Sequence, residues 1–441
     1  TVLTVLTAPI FPTTIDPTIT MPTNKIVIEN PKSTVVANYQ AEARIETQYQ
    51  SEAALEEAFI RLLQDQAYEY LPLHTEQELI SNLRRQMEAL NDIPFTDTEW
   101  KRFYTTILAN QNNGIVEKTR LIQEDNVQTF LFDNGEQKNL RIFDRKNVHN
   151  NHLQVINQYT PEGGARDNRY DVTILVNGLP LVHVELKRRG VPIREAFNQI
   201  NRYQRESFWS GTGLFQYVQI FVISNGTETK YYSNTTRFAH VRQNGGKQKP
   251  GQGRHTSNSF EFTSWWADEQ NVPVTDLMDF TKTFFAKHTL LNIIAKYCVF
   301  TSEQLLMVMR PYQICATEKI INRIIIAHNY HWEGSLQAGG YIWHTTGSGK
   351  TLTSFKTARL ATQLDFIDKV VFVVDRKDLD KQTRDEFNKF QEGCVEQNAN
   401  TADLAAVLQD PVIRSMSREQ IEKMIAEDNP VVKFRDISLR G

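Results

Sequence analysis

Residues 169–203 read RYDVTILVNGLPLVHVELKRRGVPIREAFNQINRY, and this stretch predicts the fold around it. The run DVTILV is rich in β-branched residues and ends at Asn177-Gly178, a dipeptide that suits a tight hairpin turn. LPLVHVELK then returns as a second strand. Side chains alternate along a strand, so His183, Glu185 and Lys187 share one face. Val182, Val184 and Leu186 take the other, toward the core. Pro192 suits the first turn of a helix. In that helix Gln199 and Tyr203 stand four residues apart and lie on one side. Asp171 begins the first strand, and the hairpin brings it toward Glu185.

Two carboxylates converging beside an ammonium suit Mg²⁺-assisted phosphodiester hydrolysis. Mg²⁺ takes oxygen ligands and keeps several waters. It polarises a phosphate and lowers the pKa of a bound water. Lys187 would orient that water or stabilise charge developing on the phosphate. The acid-x-Lys triplet alone also fits an edge strand carrying solvated charges, and Tyr203 also fits plain core packing. Between residues 187 and 205 the basic side chains are Lys187, Arg188, Arg189, Arg194, Arg202 and Arg205, against Glu195. That cluster reads either as a solvated face or as the path of a phosphate backbone.

At 441 residues the chain is expected to hold two or three domains. A composition of 40% hydrophobic and 23% charged residues describes an ordinary soluble protein. The net charge of −3 carries no global basic signature, so nucleic-acid contact rests on local patches. Cys298, Cys315 and Cys394 are far apart and form no C-x-x-C, which points to a reducing compartment and no structural zinc. No apolar run is long enough to span a bilayer. The opening TVLTVLTAPIFPTTIDPTIT lacks Met and a basic region and reads as a poor secretory signal. Met21 reads as a natural start, and residues 1–20 as an upstream or disordered extension.

Residues 21–48 are polar and read as loosely ordered. Ser51 caps a helix whose apolar stripe is Leu55, Ala58, Phe59, Leu62 and Leu63. Glu57 on this helix has two readings, a solvated glutamate or an acid aimed at the proposed centre. A second helix is expected over 76–90. Runs 129–132 and 140–143 flank Asp133-Asn134-Gly135 and predict a hairpin extending the main sheet. His149 and His152 read as surface or core residues. Strands are expected from Tyr217 and around Lys230-Tyr231-Tyr232. Residues 242–259, RQNGGKQKPGQGRHTSNS, read as a flexible loop. Trp265 and Trp266 begin an aromatic, helical stretch and read as packing between domains or as base-stacking platforms.

A second chemical unit begins near Arg310. GGYIW (339–343) is expected as a strand running into HTTGSGKT (344–351), with a helix from Leu352. A strand, a Gly-rich turn, Lys-Thr and a helix form the context of a phosphate loop. Backbone N–H groups of Thr346, Gly347, Ser348 and Gly349 would wrap phosphates, helped by the helix N-terminus. Lys350 would reach the β/γ-phosphates, and Thr351 would hold Mg²⁺. The strict pattern has Gly where His344 stands. KVVFVVD (369–375) is the next strand. The residues after it, including Arg376, Lys377 and Gln382, read as phosphate contacts or as a charged strand-to-helix turn.

Asp171, Glu185-x-Lys187 and Gln199-x-x-x-Tyr203 together resemble the nuclease core of the P-D…(D/E)-x-K family. Tyr170-Asp171 stands where that family often has Pro-Asp. The Gln/Tyr pair resembles the branch found in type I restriction subunits. Thr346–Thr351 resembles the loop of superfamily 2 helicases and translocases, and Gln313 resembles their adenine-reading Gln, whose amide both donates and accepts. From about Tyr49 to Leu408 the chain is similar to the N-terminal part of the restriction (R) subunit of type I restriction-modification enzymes. The resemblance implies an α/β architecture: residues 1–48 an extension, 49–241 a PD-(D/E)xK-type endonuclease domain, 242–309 a linker and helical connection, and 310–408 an incomplete RecA-like domain. Residues 409–441 are expected as an unmatched helical tail. It implies Mg²⁺ and ATP as cofactors, Asp171, Glu185 and Thr351 as metal ligands, and Arg188, Arg189, Arg376 and Lys377 as DNA contacts. It also implies duplex DNA and methyltransferase and specificity subunits as partners, a cytoplasmic bacterial location, and DNA cutting coupled to ATP-driven translocation. No Asp-Glu-x-His follows Lys350, so the chain alone is expected to turn over ATP poorly. The alternatives are a stand-alone nuclease with an inert motor, and a non-catalytic module that docks on the methyltransferase core.

Overall fold

The computed structural model describes residues 2–6, 34–41, 50–161, 169–206, 208, 213–234, 258–367, 369–373, 377–397 and 431–434. The chain divides into two compact units, Val35–Tyr312 and a second made of Thr1–Thr34 with Gln313–Gly441.

The first unit is built on a seven-stranded mixed sheet. The elements that frame it are, in chain order, α1 (Glu52–Asp65), β1 (Glu69–Tyr70), α2 (Glu76–Asn91), α3 (Asp97–Phe103), β2 (Val127–Leu131), β3 (Gln137–Arg141), β4 (Leu153–Tyr159), β5 (Tyr170–Val176), β6 (Leu179–Leu186), α4 (Arg194–Glu206), β7 (Ile220–Ser224), β8 (Thr229–Ser233), β9 (Ser264–Trp265) and α5 (Leu277–Thr283); other helices and a further strand pair fill the intervals and the end of the unit. The sheet order is β9-β8-β7-β6-β5-β4-β1. The β6–β7 and β1–β4 pairs are parallel and the rest antiparallel.

The predicted hairpin forms. Val176 pairs with Leu179, and the two residues between them, Asn177 and Gly178, have φ of 53° and 81°. Two successive positive φ values make the turn whose twist matches the flanking strands. Gly178 is also required by packing, since a Cβ there would lie 2.7 Å from Leu83 Cα of α2. Every residue of β5 and β6 is buried, so the hairpin does not have one solvated face. It lies inside the sheet, with α4 across the face that carries His183: Tyr203 packs on Tyr170 at 5.0 Å and Phe197 on Tyr232 at 5.3 Å. The edge-strand reading of Glu185-x-Lys187 is thereby excluded.

Ser51 caps α1 as expected, its hydroxyl accepting from Ala54 N. The α2 helix starts with a reciprocal cap between Thr75 and Glu78. Three expectations are corrected. First, β2 and β3 form a separate two-stranded ribbon and do not extend the main sheet. Phe130 is the one buried residue of β2, and it joins Phe95, Phe103 and Phe132 in an aromatic cluster beside α3. Such a ribbon has one short apolar side, and the helices already cover it.

Second, residues 260–309 are not a connection between domains. β9 pairs with β8, and Phe285 behind α5 meets Phe59 of α1 at 5.6 Å. Trp266 is buried on Phe284 and Tyr231 of the same unit, so its packing is internal. The loop expected at 242–259 lies outside the described residues through 257. Third, the extension is not structureless. Val2–Leu6 is a strand of the second unit, and Val35 and Val36 are buried in the first.

In the second unit the strand Lys369–Val373 lies between Val2–Leu6 (parallel) and Val431–Phe434 (antiparallel). Val395–Gln397 pairs with the far side of Val431–Phe434. The tail expected as helical therefore contains a strand; its other residues are outside the described set. The strand expected at 339–343 is not formed, and Tyr341 and Trp343 are exposed. A strand needs a paired edge, and both edges of Lys369–Val373 are taken. The helix Lys350–Ala361 begins two residues before the expected Leu352.

Candidate active site

The hairpin register places the acids. Val172 pairs with Val184 and Thr173 with His183, so the next position outward sets Asp171 opposite Glu185. Directly opposed residues point to the same face. Asp171 Oδ2 accepts from Leu186 N at 2.9 Å. Lys187 Nζ donates to Glu185 Oε1 at 3.1 Å and to the Leu186 carbonyl at 2.7 Å. The three expected residues are thus brought together on the central strand pair. On α4, Gln199 Nε2 donates to the Tyr203 hydroxyl at 2.5 Å, and that hydroxyl donates to Arg169 O. Tyr203 is buried, so it packs in the core and anchors the strand carrying Asp171 in one act.

Burial sets the electrostatics. It pushes Asp171 up to about 8, and the charge of Glu185 adds to the rise while Lys187 opposes it. Burial pushes Glu185 up to about 7, against the pull of Lys187. For Lys187 burial acts downward, but Glu185, Asp171 and Glu52 outweigh it and leave its pKa raised. His183 is fully buried and held down to about 3, hence neutral. Its Nδ1 meets the Thr173 hydroxyl at 3.2 Å, and its Nε2 stands 3.6 Å from Glu185 Oε2. Glu185 Oε2 has no hydrogen-bond partner. Two buried acids with one oxygen left unpartnered form a site deficient in positive charge.

That deficit tests the fit of a metal ion. Among the described residues no three or more His, Cys, Asp or Glu converge as a ready cage. A two-carboxylate donor set without sulfur or imidazole fits Mg²⁺, which is held by one or two carboxylates and retains waters.

A cleft of about 680 Å³ opens beside Asp171, lined also by Glu52, Glu56, Asn157 and Arg169. Glu57 also lines this cleft, but it is exposed and paired with Arg61, in keeping with its solvated reading. Glu52 is the acid that meets the centre, with Oε1 3.6 Å from Lys187 Nζ. Glu56 is buried and accepts from Asn157 and Gln158, and burial raises its pKa. The signal was present in the helix period. Leu55, Phe59 and Leu63 form the buried stripe, and Glu52 and Glu56 flank it one turn apart.

Of the basic residues, Arg188 is exposed, whereas Arg189 is tied to Thr227 and Asp276. Arg376 and the side chains of Lys377 and Arg205 lie outside the described residues.

In the second unit the glycine-rich loop stands at the start of the helix Lys350–Ala361, with Gly347 and Gly349 at φ of 76° and 80°. Thr346, Gly347 and Lys350 are exposed. Lys350 Nζ donates to His344 O at 3.4 Å, and Ser348 Oγ donates to Thr345 O at 2.7 Å. Gln313 Nε2 donates to Ser348 O at 2.9 Å. The expected adenine-reading residue thus touches the loop itself. Thr351 is half-buried in the first turn of the helix.

A family model described as the N terminus of type I restriction enzyme R protein matches residues 49–240, and one described as SWI2/SNF2 ATPase matches residues 312–438. The second match runs past residue 408, so the stretch expected as unmatched falls largely within it. The EcoprrI type I restriction endonuclease subunit of Escherichia coli is 48% identical over 301 residues, 68% of this chain and 90% of that protein. The SsaAORF53P type I restriction endonuclease subunit of Staphylococcus saprophyticus is 40% identical over 368 residues, 82% of this chain but 36% of that protein. The C-terminal part of a putative type I restriction endonuclease subunit, MpnIIP of Mycoplasma pneumoniae, is 53% identical over 147 residues, 33% of this chain and 71% of that one. The chain belongs to the family of type I restriction enzyme endonuclease (R) subunits.

Proposed function

We propose that this chain supplies the cutting centre and nucleotide loop of a type I restriction enzyme, a PD-(D/E)xK-type nuclease joined to a RecA-like motor part. It would cleave duplex DNA with Mg²⁺ while ATP drives translocation, in the bacterial cytoplasm and together with methyltransferase and specificity subunits. The observation that carries this reading is the convergence of Asp171, Glu185 and Lys187 on one buried strand pair, where one carboxylate oxygen, Glu185 Oε2, has no hydrogen-bond partner.

Asp171 and Glu185 would hold Mg²⁺, which when bound polarises the scissile phosphate and acidifies a water. Lys187, on the same face, offers its ammonium to the charge that grows on the phosphate. Glu52 holds Lys187 toward the cleft. Gln199 and Tyr203 tie the start of β5 and so keep Asp171 opposite Glu185. Arg188 would meet the backbone, with Arg376 and Lys377 as further phosphate contacts of the motor part. Thr346–Thr351 would wrap ATP phosphates, with Lys350 on the terminal phosphates, Thr351 on Mg²⁺ and Gln313 on the adenine.

The test is a cleavage assay on circular DNA carrying one recognition site, with the methyltransferase core, Mg²⁺ and ATP. Cutting far from the site is expected from the native chain and lost in both Asp171→Ala and Lys350→Ala. Remote cutting that survives Lys350→Ala would remove the motor role.

A further inference from the structure

We infer that Arg194, Lys230, Phe260 and Trp265 form a second DNA contact, a platform that takes unstacked bases of a single-stranded stretch beside the cutting centre. This rests on the nuclease reading of Asp171 and Glu185. The register leads to it. Glu185 pairs with Ile223, Ile223 with Lys230, and Lys230 with Trp265. Paired residues of neighbouring strands point to one face, so Lys230 and Trp265 share the face of Glu185. Three strand spacings of about 4.8 Å put Trp265 about 14 Å from Glu185. A strand with duplex spacing places a phosphate about every 3.4 Å of axis, so the separation corresponds to at most about four nucleotides, and to fewer once the bases unstack and the strand extends. The α4 helix repeats this measure. Arg194 at its start and Tyr203 near Asp171 are nine residues apart, or about 14 Å at 1.5 Å per residue.

The patch has the chemistry of a single-strand contact. Lys230 Nζ lies 4.5 Å from the Trp265 ring and 4.9 Å from the Phe260 ring, and the Arg194 guanidinium is 5.3 Å from Phe260. Arg194 is exposed, and Lys230, Phe260 and Trp265 are half-buried on or beside β9, the last strand of the sheet. Phe260 also meets Phe197 of α4 edge-on at 5.4 Å, which holds its ring in place. A cation over a partly exposed ring is held less strongly than a base stacked on that ring. A single strand offers a better partner to each group at once, phosphates to the cations and base faces to the rings. Duplex DNA hides its base faces and offers only the phosphates.

The test is fluorescence anisotropy of the full chain with a labelled single-stranded thymidine oligonucleotide, and with a duplex of equal length, in EDTA so that no cleavage enters. Trp265→Ala and Phe260→Ala are expected to weaken single-strand binding about 5- to 100-fold, the range for losing one stacked base. Duplex binding should change less than about twofold, and Trp265→Phe should retain the affinity because a ring remains. Lys230→Gln should lower the salt slope of single-strand binding by about 0.7, one phosphate contact. This half-exposed change carries the test if Trp265→Ala unfolds. Equal single-strand binding by native chain, Trp265→Ala and Lys230→Gln overturns the platform and leaves the nuclease reading standing. Equal losses on both DNAs overturn it too, because the patch would then act only through backbone charge. Mg²⁺-dependent cleavage that survives Asp171→Ala, with Trp265-dependent binding intact, would sink the nuclease reading alone.

Discussion

The centre on β5–β6 and the loop at Thr346–Thr351 both bind phosphate in the reading proposed here, yet they are built in opposite ways. Asp171 and Glu185 are set by strand register and are buried, Glu185 completely. The loop is exposed and satisfies itself, with Lys350 on His344 O and Gln313 on Ser348 O. The first site is held in place at the expense of two acids forced together away from water. The second keeps its donors occupied until a ligand offers better acceptors. A rigid site should therefore lose function steeply, and gain stability, when an acid is removed. A self-satisfied loop should lose ligand affinity with little change in stability.

The largest effect expected is on cleavage. Asp171→Ala should lower Mg²⁺-dependent cutting by about 10³ or more, several kcal/mol of charge stabilisation. Lys187→Ala should lower it about 10²–10³-fold, as for loss of one preorganised donor. If either variant cuts within tenfold of the native rate, the rigid-site half of the comparison breaks. Next comes the loop. Lys350→Ala should weaken nucleotide binding about 10- to 100-fold, the worth of a charged hydrogen bond, and leave the melting temperature almost unchanged because Lys350 is exposed. Calorimetric titration with ATP beside a thermal melt checks both.

A smaller effect tests the frame of the centre. Gly178→Ala puts a Cβ 2.7 Å from Leu83 Cα at a φ of 81°. It should destabilise the first unit by about 1–3 kcal/mol, read from denaturant unfolding. Unchanged stability would show that α2 yields and that the hairpin is less fixed than its burial implies.

The smallest effect concerns pH. Asp171 and Glu185 have folded pKa values of about 8 and about 7, above the usual carboxylate range. The folded state therefore binds more protons than the unfolded chain, and stability without metal should fall as pH rises toward and through 7–8. At pH 8, Asp171→Asn in Mg²⁺-free buffer should melt a few degrees above the native chain. Mg²⁺ should raise the native melting temperature more at pH 8 than at pH 5. A native chain that melts higher than Asp171→Asn under those conditions would mean that the acids are not strained together.

Much of the centre was legible because its signals are local. Asn177-Gly178 announces the turn by its φ preference, alternation puts Glu185 and Lys187 on one side, and helical spacing pairs Gln199 with Tyr203. The errors have one physical source, contacts far apart in sequence. Glu57 is solvated, as one of its two readings had it, but Glu52 was missed, because nothing on the helix marks it until Lys187 arrives from far along the chain. GGYIW has strand composition, but no pattern within it states whether a neighbour's edge is free. The aromatic stretch after Phe260 has a helical period, which hides the short strand at Ser264–Trp265 and its pairing with Lys230.

The sequence by itself determined the chemical groups and their local order: an acid before a hairpin, an acid and a lysine after it, a glycine-rich turn before a helix. Backbone sterics and side-chain periodicity act over a few residues, so these follow without the rest of the molecule. Only the tertiary structure decided that Glu185 lies inside the sheet, that Glu52 joins it, and that Trp265 falls in its cross-strand row. Burial and register are properties of neighbours brought by distant segments, and it is burial that turns two ordinary carboxylates into a pair that calls for a cation.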